Sequence, residues 1–359
     1  MRSHSRLAVF ASAQVIALTT SILIPSSAQA IEMPAAESSL FMLDVSGSTN
    51  SIELWKNLRM SVTSKLNQPF GKPISNSGTK KIPIDVSVMA IAKNSQNSPI
   101  FSIVTKEDSK KIWGTVDQLF KLNESRINDV SDSLFGESGT WATQAKIFTD
   151  TAFRAPSAVA CRTSAISTMN TGTLIKNSSG KNKVALADAI CERDLSISKG
   201  LKDTDAYFAK SVCGKKEVCS DVAGAIYRAT SKAKDLAAQK KDKVNGVDVK
   251  NKLCIAIASD MLNESPGVSM TSVLNSEYIA KTSATTAMAK ESGAAAARAV
   301  GIKFTSEVTT RVVMVGIGSG PNPLPLDRNR FLLAYWEGFF TQSGVKQTNQ
   351  AQSIDQACA

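Results

Sequence analysis

The chain has 359 residues, of which 43% are apolar, 20% charged and 6% aromatic. Such a composition can bury a core and excludes the disordered and collagen-like classes. One or two domains are expected from the length. The single histidine, His4, lies in a segment read below as removable. That excludes Ser-His-Asp and Cys-His nucleophile sites, HExxH zinc helices and histidine general acids or bases.

Arg2 and Arg6 precede an apolar stretch from about Leu7 to Ile24, followed by Pro25 and the small-residue triplet Ala28, Gln29, Ala30. This pattern predicts a signal peptide over residues 1–30. Ser12, Gln14, Thr19, Thr20 and Ser21 interrupt the stretch and argue against an uncleaved anchor. A periplasmic or secreted protein is therefore expected, with no transmembrane segment after cleavage. Removing Arg2 and Arg6 lowers the basic count from 42 to 40 against 31 acidic residues, so the net charge falls from +11 to +9. Lysines gather at Lys232, Lys234, Lys240, Lys241, Lys243, Lys250 and Lys252. No aromatics interleave them, so they read as a solvated helix face running into a turn at Asn245-Gly246, and no nucleic-acid partner is expected.

In chain order, the first apolar run is Leu40-Phe41-Met42-Leu43, short enough for a buried parallel strand. Ile52, Trp55, Leu58, Val62 and Leu66 then follow three- and four-residue steps, predicting a helix that ends near Pro69. A second strand is expected over Ile84 to Ala92 and a second helix through Ile112, Val116, Leu119 and Leu122. Residues 123–219 are rich in Ser, Thr and Asn, carry four of the cysteines and break the alternation. They read as an insert, a disulfide-stapled helical lobe with helix candidates at Thr140 to Phe153 and Val184 to Tyr207. Alternation resumes with a helix from about Asp221 to Ala237, a strand over Leu253 to Ala258, an alanine-rich helix from about Ser276 to Val300 and a strand over Arg311 to Gly316. The last helix, Arg328 to Phe340, carries Phe331, Leu332, Tyr335, Trp336, Phe339 and Phe340 at helical spacing, a stripe suited to core docking. Strands alternating with helices predict an α/β fold with a doubly wound, mainly parallel sheet. The expected organisation is one domain over 31–359, interrupted by the insert.

The six cysteines are Cys161, Cys191, Cys213, Cys219, Cys254 and Cys358. In an oxidising compartment disulfides are the default, and the CxxC spacing of zinc ribbons and redox sites is absent. Cys213 with Cys219 and Cys161 with Cys191 are the first pairings to consider. Cys254 lies in a buried strand, either as a packed thiol or tied to the tail through Cys358.

Chemistry gathers at strand ends. Directly after the first strand comes Asp44-Val45-Ser46-Gly47-Ser48-Thr49, at the carboxyl end where open α/β sheets bind ligands. One carboxylate and two hydroxyls are hard oxygen donors suited to Mg²⁺ or Mn²⁺. Because serines are neutral, such an ion keeps uncompensated charge and attracts a carboxylate from outside. Asn50 followed three residues later by Glu53 also has the form of a helix cap, which would explain some of these polar residues without a metal. A second buried strand ends in Ser259-Asp260, and Ser220-Asp221-Val222-Ala223-Gly224-Ala225 opens a small-residue helix before it.

At these residues the chain resembles the von Willebrand factor type A (VWA) domain family. Its metal-ion-dependent adhesion site (MIDAS) combines a D-x-S-x-S loop, a distant threonine and an aspartate after a later strand. The resemblance covers about Ser39 to Leu122 and Ser220 to Gly344. It implies a Rossmann-like VWA fold and a metal held by Asp44, Ser46, Ser48, Ser220 and Asp260. Ser220 stands where the family's T-D-x-x-x-A-L pattern has threonine; the hydroxyl is kept and the methyl is lost. The implied function is a binding module, not an enzyme, that uses Mg²⁺ or Mn²⁺ to grip an Asp or Glu carboxylate on a partner protein. Two other classes are open at this point. One is an assembly component of a cell-envelope or conjugation-type machine with a vestigial site. The other is a metal-dependent hydrolase, disfavoured because the chain has no P-loop and no G-x-S-x-G elbow.

Overall fold

A computed structural model describes residues 37–46, 53–58, 72–73, 81–82, 85–107, 111, 162–163, 166, 180–211, 219–239, 241–244, 247–265, 268–269, 282–319, 323–354 and 356–358. The signal segment, the helices expected through Ile112–Leu122 and Thr140–Phe153, and Ser48 lie outside the described residues.

Six strands build one sheet: β1 (Glu37–Asp44), β2 (Asp85–Ile91), β3 (Phe101–Val104), β4 (Asn251–Ala258), β5 (Val308–Val315) and β6 (Gln347–Ala351). Their spatial order is β6-β5-β4-β1-β2-β3. All neighbours are parallel except β2 and β3. The helices are α1 (residues 53–58), α2 (Gly180–Ser211), α3 (Val222–Ala238), α4 (Thr282–Ala299) and α5 (Leu326–Gln342). The expected doubly wound α/β fold is thus present, with a switch of direction between β1 and β4.

Side-chain alternation along β1 divides the core. Leu40 and Met42 face a layer formed by α3, α4 and α5, whereas Phe41 and Leu43 face α1, α2 and the chain's last residues. Apolar residues on both faces of one strand are what a parallel sheet covered on two sides requires. The aromatic stripe of α5 docks as expected: Phe331, Leu332, Tyr335, Trp336, Phe339 and Phe340 are buried. Helices α4 and α5 touch backbone to backbone, since a Cβ on Gly293 would overlap the Tyr335 carbonyl and one on Gly338 the Lys290 carbonyl.

The stretch read as an insert supplies α2, which extends over the expected Val184 to Tyr207 and lies on the second face of the sheet. Ile197, Leu201 and Phe208 enter that core. At Gly200 the helix comes so close to β3 that a Cβ would sit 2.7 Å from the Ser102 carbonyl oxygen. Trp55 of α1 donates its Nε1–H to Asp205 (2.6 Å) and stacks on Phe208, joining α1 to α2.

Two strands of this six-stranded sheet were not legible as strands, and both are edges. β3 is four residues long, and β6 reads Gln-Thr-Asn-Gln-Ala, with no fully buried residue. Lys232 departs from the expected solvated lysine face. It is largely buried and reaches Asp85 at 3.6 Å, while Asp85 also accepts from the Ser38 hydroxyl (2.7 Å). Lys234, Lys241, Lys250 and Lys252 are exposed.

Of the two possibilities for Cys254, the tie to the tail is the one present: Cys254 is bonded to Cys358, with Cα atoms 5.6 Å apart. Cys191 and Cys219 are also disulfide-bonded, while Cys161 and Cys213, their expected partners, lie outside the described residues. Among the described residues no cysteine is free. The bridge pins Ile354, Ala357 and Cys358 over the second face of the sheet. It joins residues 104 positions apart, so replacing both cysteines by serine is expected to lower stability by about 2–4 kcal/mol in urea unfolding. Gly338→Ala is expected to lower it by about 1–3 kcal/mol through overpacking, measured the same way.

Candidate functional site

Asp44 is the last residue of β1, fully buried at the carboxyl end of the sheet. Pairing of Leu43 with Ala258 sets Asp44 level with Ser259 and one step short of Asp260. This is the switch point between β1 and β4, from which the chain's connections run to opposite sides and at which open α/β sheets place their ligands.

The Asp44 carboxylate organises the tips around it. Its Oδ1 accepts the Ser46 backbone N–H (2.8 Å), and its Oδ2 accepts the hydroxyls of Ser259 (2.7 Å) and Ser220 (3.3 Å). Burial is the largest influence on this group and pushes its pKa above the ordinary carboxylate value, while the bonds from Ser259, Ser46 and Ser220 pull it down. Ionisation so deep in the fold is opposed by lost hydration, and a nearby cation would favour it.

Ser220 is held by its neighbours. Asp221 caps α3, accepting Gly224 N–H on Oδ1 (2.8 Å) and Ser95 N–H on Oδ2 (2.9 Å), while its own N–H donates to the Ala92 carbonyl (3.1 Å). Gly224 is required for this cap, because a Cβ there would overlap the Asp221 carboxylate. On the other side the Ser220 carbonyl accepts Glu264 N–H (2.8 Å), and the Asn263 side chain accepts Ala223 N–H (2.8 Å). The loop before α3 is thereby stitched both to the end of β2 and to the turn after Asp260.

Asp260 is buried. Its Oδ1 accepts Leu262 N–H (3.0 Å) and its carbonyl accepts Gly318 N–H (2.9 Å). The Gly316–Ser319 segment after β5 is a turn, with positive φ at Gly316 and Gly318 and the Ser319 N–H donating to the Gly316 carbonyl (2.9 Å). Of the five residues named from sequence, Asp44, Ser46 and Ser220 meet in one hydrogen-bonded group, Asp260 lies on the adjoining strand tip, and Ser48 is outside the described residues.

Ser259 was not among the site residues named from the sequence, yet its hydroxyl bond to Asp44 (2.7 Å) is shorter than that of Ser220 (3.3 Å). Its signal was present in the sequence as the residue before Asp260, but its importance depends on the β1–β4 register. Asn263 was missed for a similar reason: its partner is a backbone N–H 40 residues away.

The donor set suits a hard divalent cation. Every donor is an oxygen, and a serine hydroxyl that donates to Asp44 keeps its lone pairs for another partner. Among the described residues no group of three or more His, Cys, Asp or Glu side chains could hold a metal ion. A cation here would depend on hydroxyl oxygens beside the two carboxylates.

No family model matches the chain, and no curated protein matches it in sequence. Among solved structures it is similar to the crystal structure of the human COPII-coat protein Sec24c, at 10% identity and a TM-score of 0.27, covering 90% of this chain and 30% of that one. The chain therefore spans less than a third of that protein's length, and a likeness this loose carries no argument about fold or function. No helix among the described residues is long and apolar enough to cross a membrane.

Ser259→Ala tests the centre of this network. It removes the 2.7 Å donor to Asp44 and leaves Met261 N–H, which the Ser259 hydroxyl accepts at 2.9 Å, without that acceptor. A loss of about 1–3 kcal/mol is expected in chemical denaturation, because buried polar groups lose their partners. Stability equal to wild type would mean that the network does not hold the site together.

Proposed function

We propose that the protein is an exported VWA-type binding module, not an enzyme. Asp44, Ser46, Ser48, Ser220 and Asp260 would hold one Mg²⁺ or Mn²⁺, and that ion would bind an Asp or Glu carboxylate on a partner protein. The observation that carries this reading is the buried Asp44 carboxylate at the β1–β4 switch point, with the hydroxyls of Ser220 and Ser259 on one of its oxygens. Two carboxylates formally match the charge of a divalent ion, but the five named residues leave a position open in a shell of about six oxygens. When bound, the ion would offer that position to an incoming carboxylate. The chain's own part is to keep Asp44 buried, set the hydroxyls around it and anchor the Ser220 loop to its neighbours.

Burial supports the same reading. Asp44, Ser46, Ser220 and Asp260 are each less than a tenth exposed, and a cation bound among them would favour the ionised form of a buried acid.

Calorimetric titration of residues 31–359 with MnCl₂ tests the proposal. Saturable one-site binding is expected, weakened at least about tenfold in both Asp44→Ala and Asp260→Ala, the scale of losing one charge-assisted contact. A peptide containing Asp or Glu should then bind only while the cation is present. Wild-type protein that takes up no Mn²⁺, or that binds it equally well in both variants, would remove the metal from the function.

A further inference from the structure

Met261 follows Asp260 and is fully buried with a φ of 64°. A residue other than glycine rarely enters this left-handed region unless its surroundings impose it. Both of its backbone groups are held: its N–H donates to the Ser259 hydroxyl at 2.9 Å, and its carbonyl accepts the indole Nε1–H of Trp336 at 2.9 Å. Trp336 belongs to α5, is fully buried, and packs against Tyr335, Phe339 and Phe340.

A second tie runs from the same helix. Asn329 donates from Nδ2 to the Ile317 carbonyl at 3.3 Å, and the next residue, Gly318, donates its N–H to the Asp260 carbonyl at 2.9 Å. Gly318 has a positive φ, and a Cβ there would come within 2.8 Å of the Asn329 side chain. The turn bearing Asp260 is thus gripped from α5 at Met261 and at Asp260 itself. Helix α5 is in turn fixed to α4 on either side of Trp336, through the glycine contacts at Tyr335 and Gly338.

We propose that Trp336 is a positioning residue for the candidate site: its bond to Met261 holds the 259–262 turn in its left-handed form and so sets the orientation of Asp260 from the α4–α5 layer. Asn329 assists through the 317–318 backbone. The proposal rests on the reading of Asp260 as a cation ligand and extends it, because it makes the site responsive to the seating of α5. A ligand that favours one orientation of Asp260 should tighten the Trp336 bond, and displacement of α5 should weaken the ligand.

The test uses residues 31–359 with three changes at these two positions. Trp336→Phe removes the donor and part of the ring. Benzothienylalanine at position 336 keeps the bicyclic shape and lacks only the N–H. Asn329→Ala removes the second tie. Gly200→Ala, which crowds α2 against β3, serves as a destabilised control away from the turn.

Hydrogen exchange on the metal-free protein should show faster exchange of Met261, Leu262 and Gly318 amides in both position-336 variants, with amides in β1 unchanged. Mn²⁺ affinity should fall about tenfold, the effect of losing one buried hydrogen bond, in both position-336 variants and less in Asn329→Ala. Gly200→Ala should change neither. Exchange rates and Mn²⁺ affinity that stay at wild-type values in the benzothienylalanine protein would overturn the proposal, as would an equal change in Gly200→Ala. If the wild type binds no Mn²⁺, the metal reading fails by itself, and the exchange measurement alone decides whether Trp336 holds the turn.

Discussion

A carboxylate is costly to bury, and Asp44, fully buried, is placed where the fold must repeatedly answer for it. It ends the central strand, so it cannot move without moving β1, which pairs with β2 on one side and β4 on the other. Bonds from Ser46, Ser220 and Ser259 bring three separate chain segments to its two oxygens. Each of those segments has further ties: the Ser220 loop to Ala92 and Glu264, and Ser259 to Met261. The arrangement of strand tips at this end of the sheet follows from satisfying one buried acid.

The opposite end of the sheet handles its charges differently. Glu37 and Arg311 form a paired contact with both nitrogen–oxygen distances at 2.8 Å, and Asp85 has Lys232 and Ser38. Those acids have basic side chains close by. At Asp44 the bonds from Ser46, Ser220 and Ser259 come from hydroxyls and a backbone amide. Gathering oxygen donors at the carboxyl end of the strands places them where open α/β sheets bind ligands.

Much of this was legible beforehand, and the failures have definite causes. Buried parallel strands announce themselves as unbroken apolar runs, so the cores of β1, β2, β4 and β5 were readable to within a few residues of their ends. The edge strands β3 and β6 were not, because an edge needs neither length nor an apolar pattern when one side of it faces solvent. Helix α2 showed its helical spacing but hid its role: Ile197, Leu201 and Phe208 are four and seven residues apart in a polar stretch, and only the tertiary structure shows them filling the layer beside α1. At the site, sequence reasoning found the residues that carry a motif and missed Ser259, whose contribution arises from strand register. The tie between Cys254 and Cys358 was one of two options because nothing in the spacing brings residues 104 positions apart together.

The central claim is that the oxygens gathered around Asp44 form a seat for a divalent cation. Crystals of residues 31–359 grown with MnCl₂ test it most directly, through anomalous difference maps recorded near the manganese absorption edge. The account predicts a single strong peak whose ligands, directly or through water, come from Asp44, Ser46, Ser48, Ser220 and Asp260, with direct oxygen distances of about 2–2.5 Å. A map with no peak at the β1–β4 strand ends, or with manganese bound only elsewhere on the protein, would contradict it.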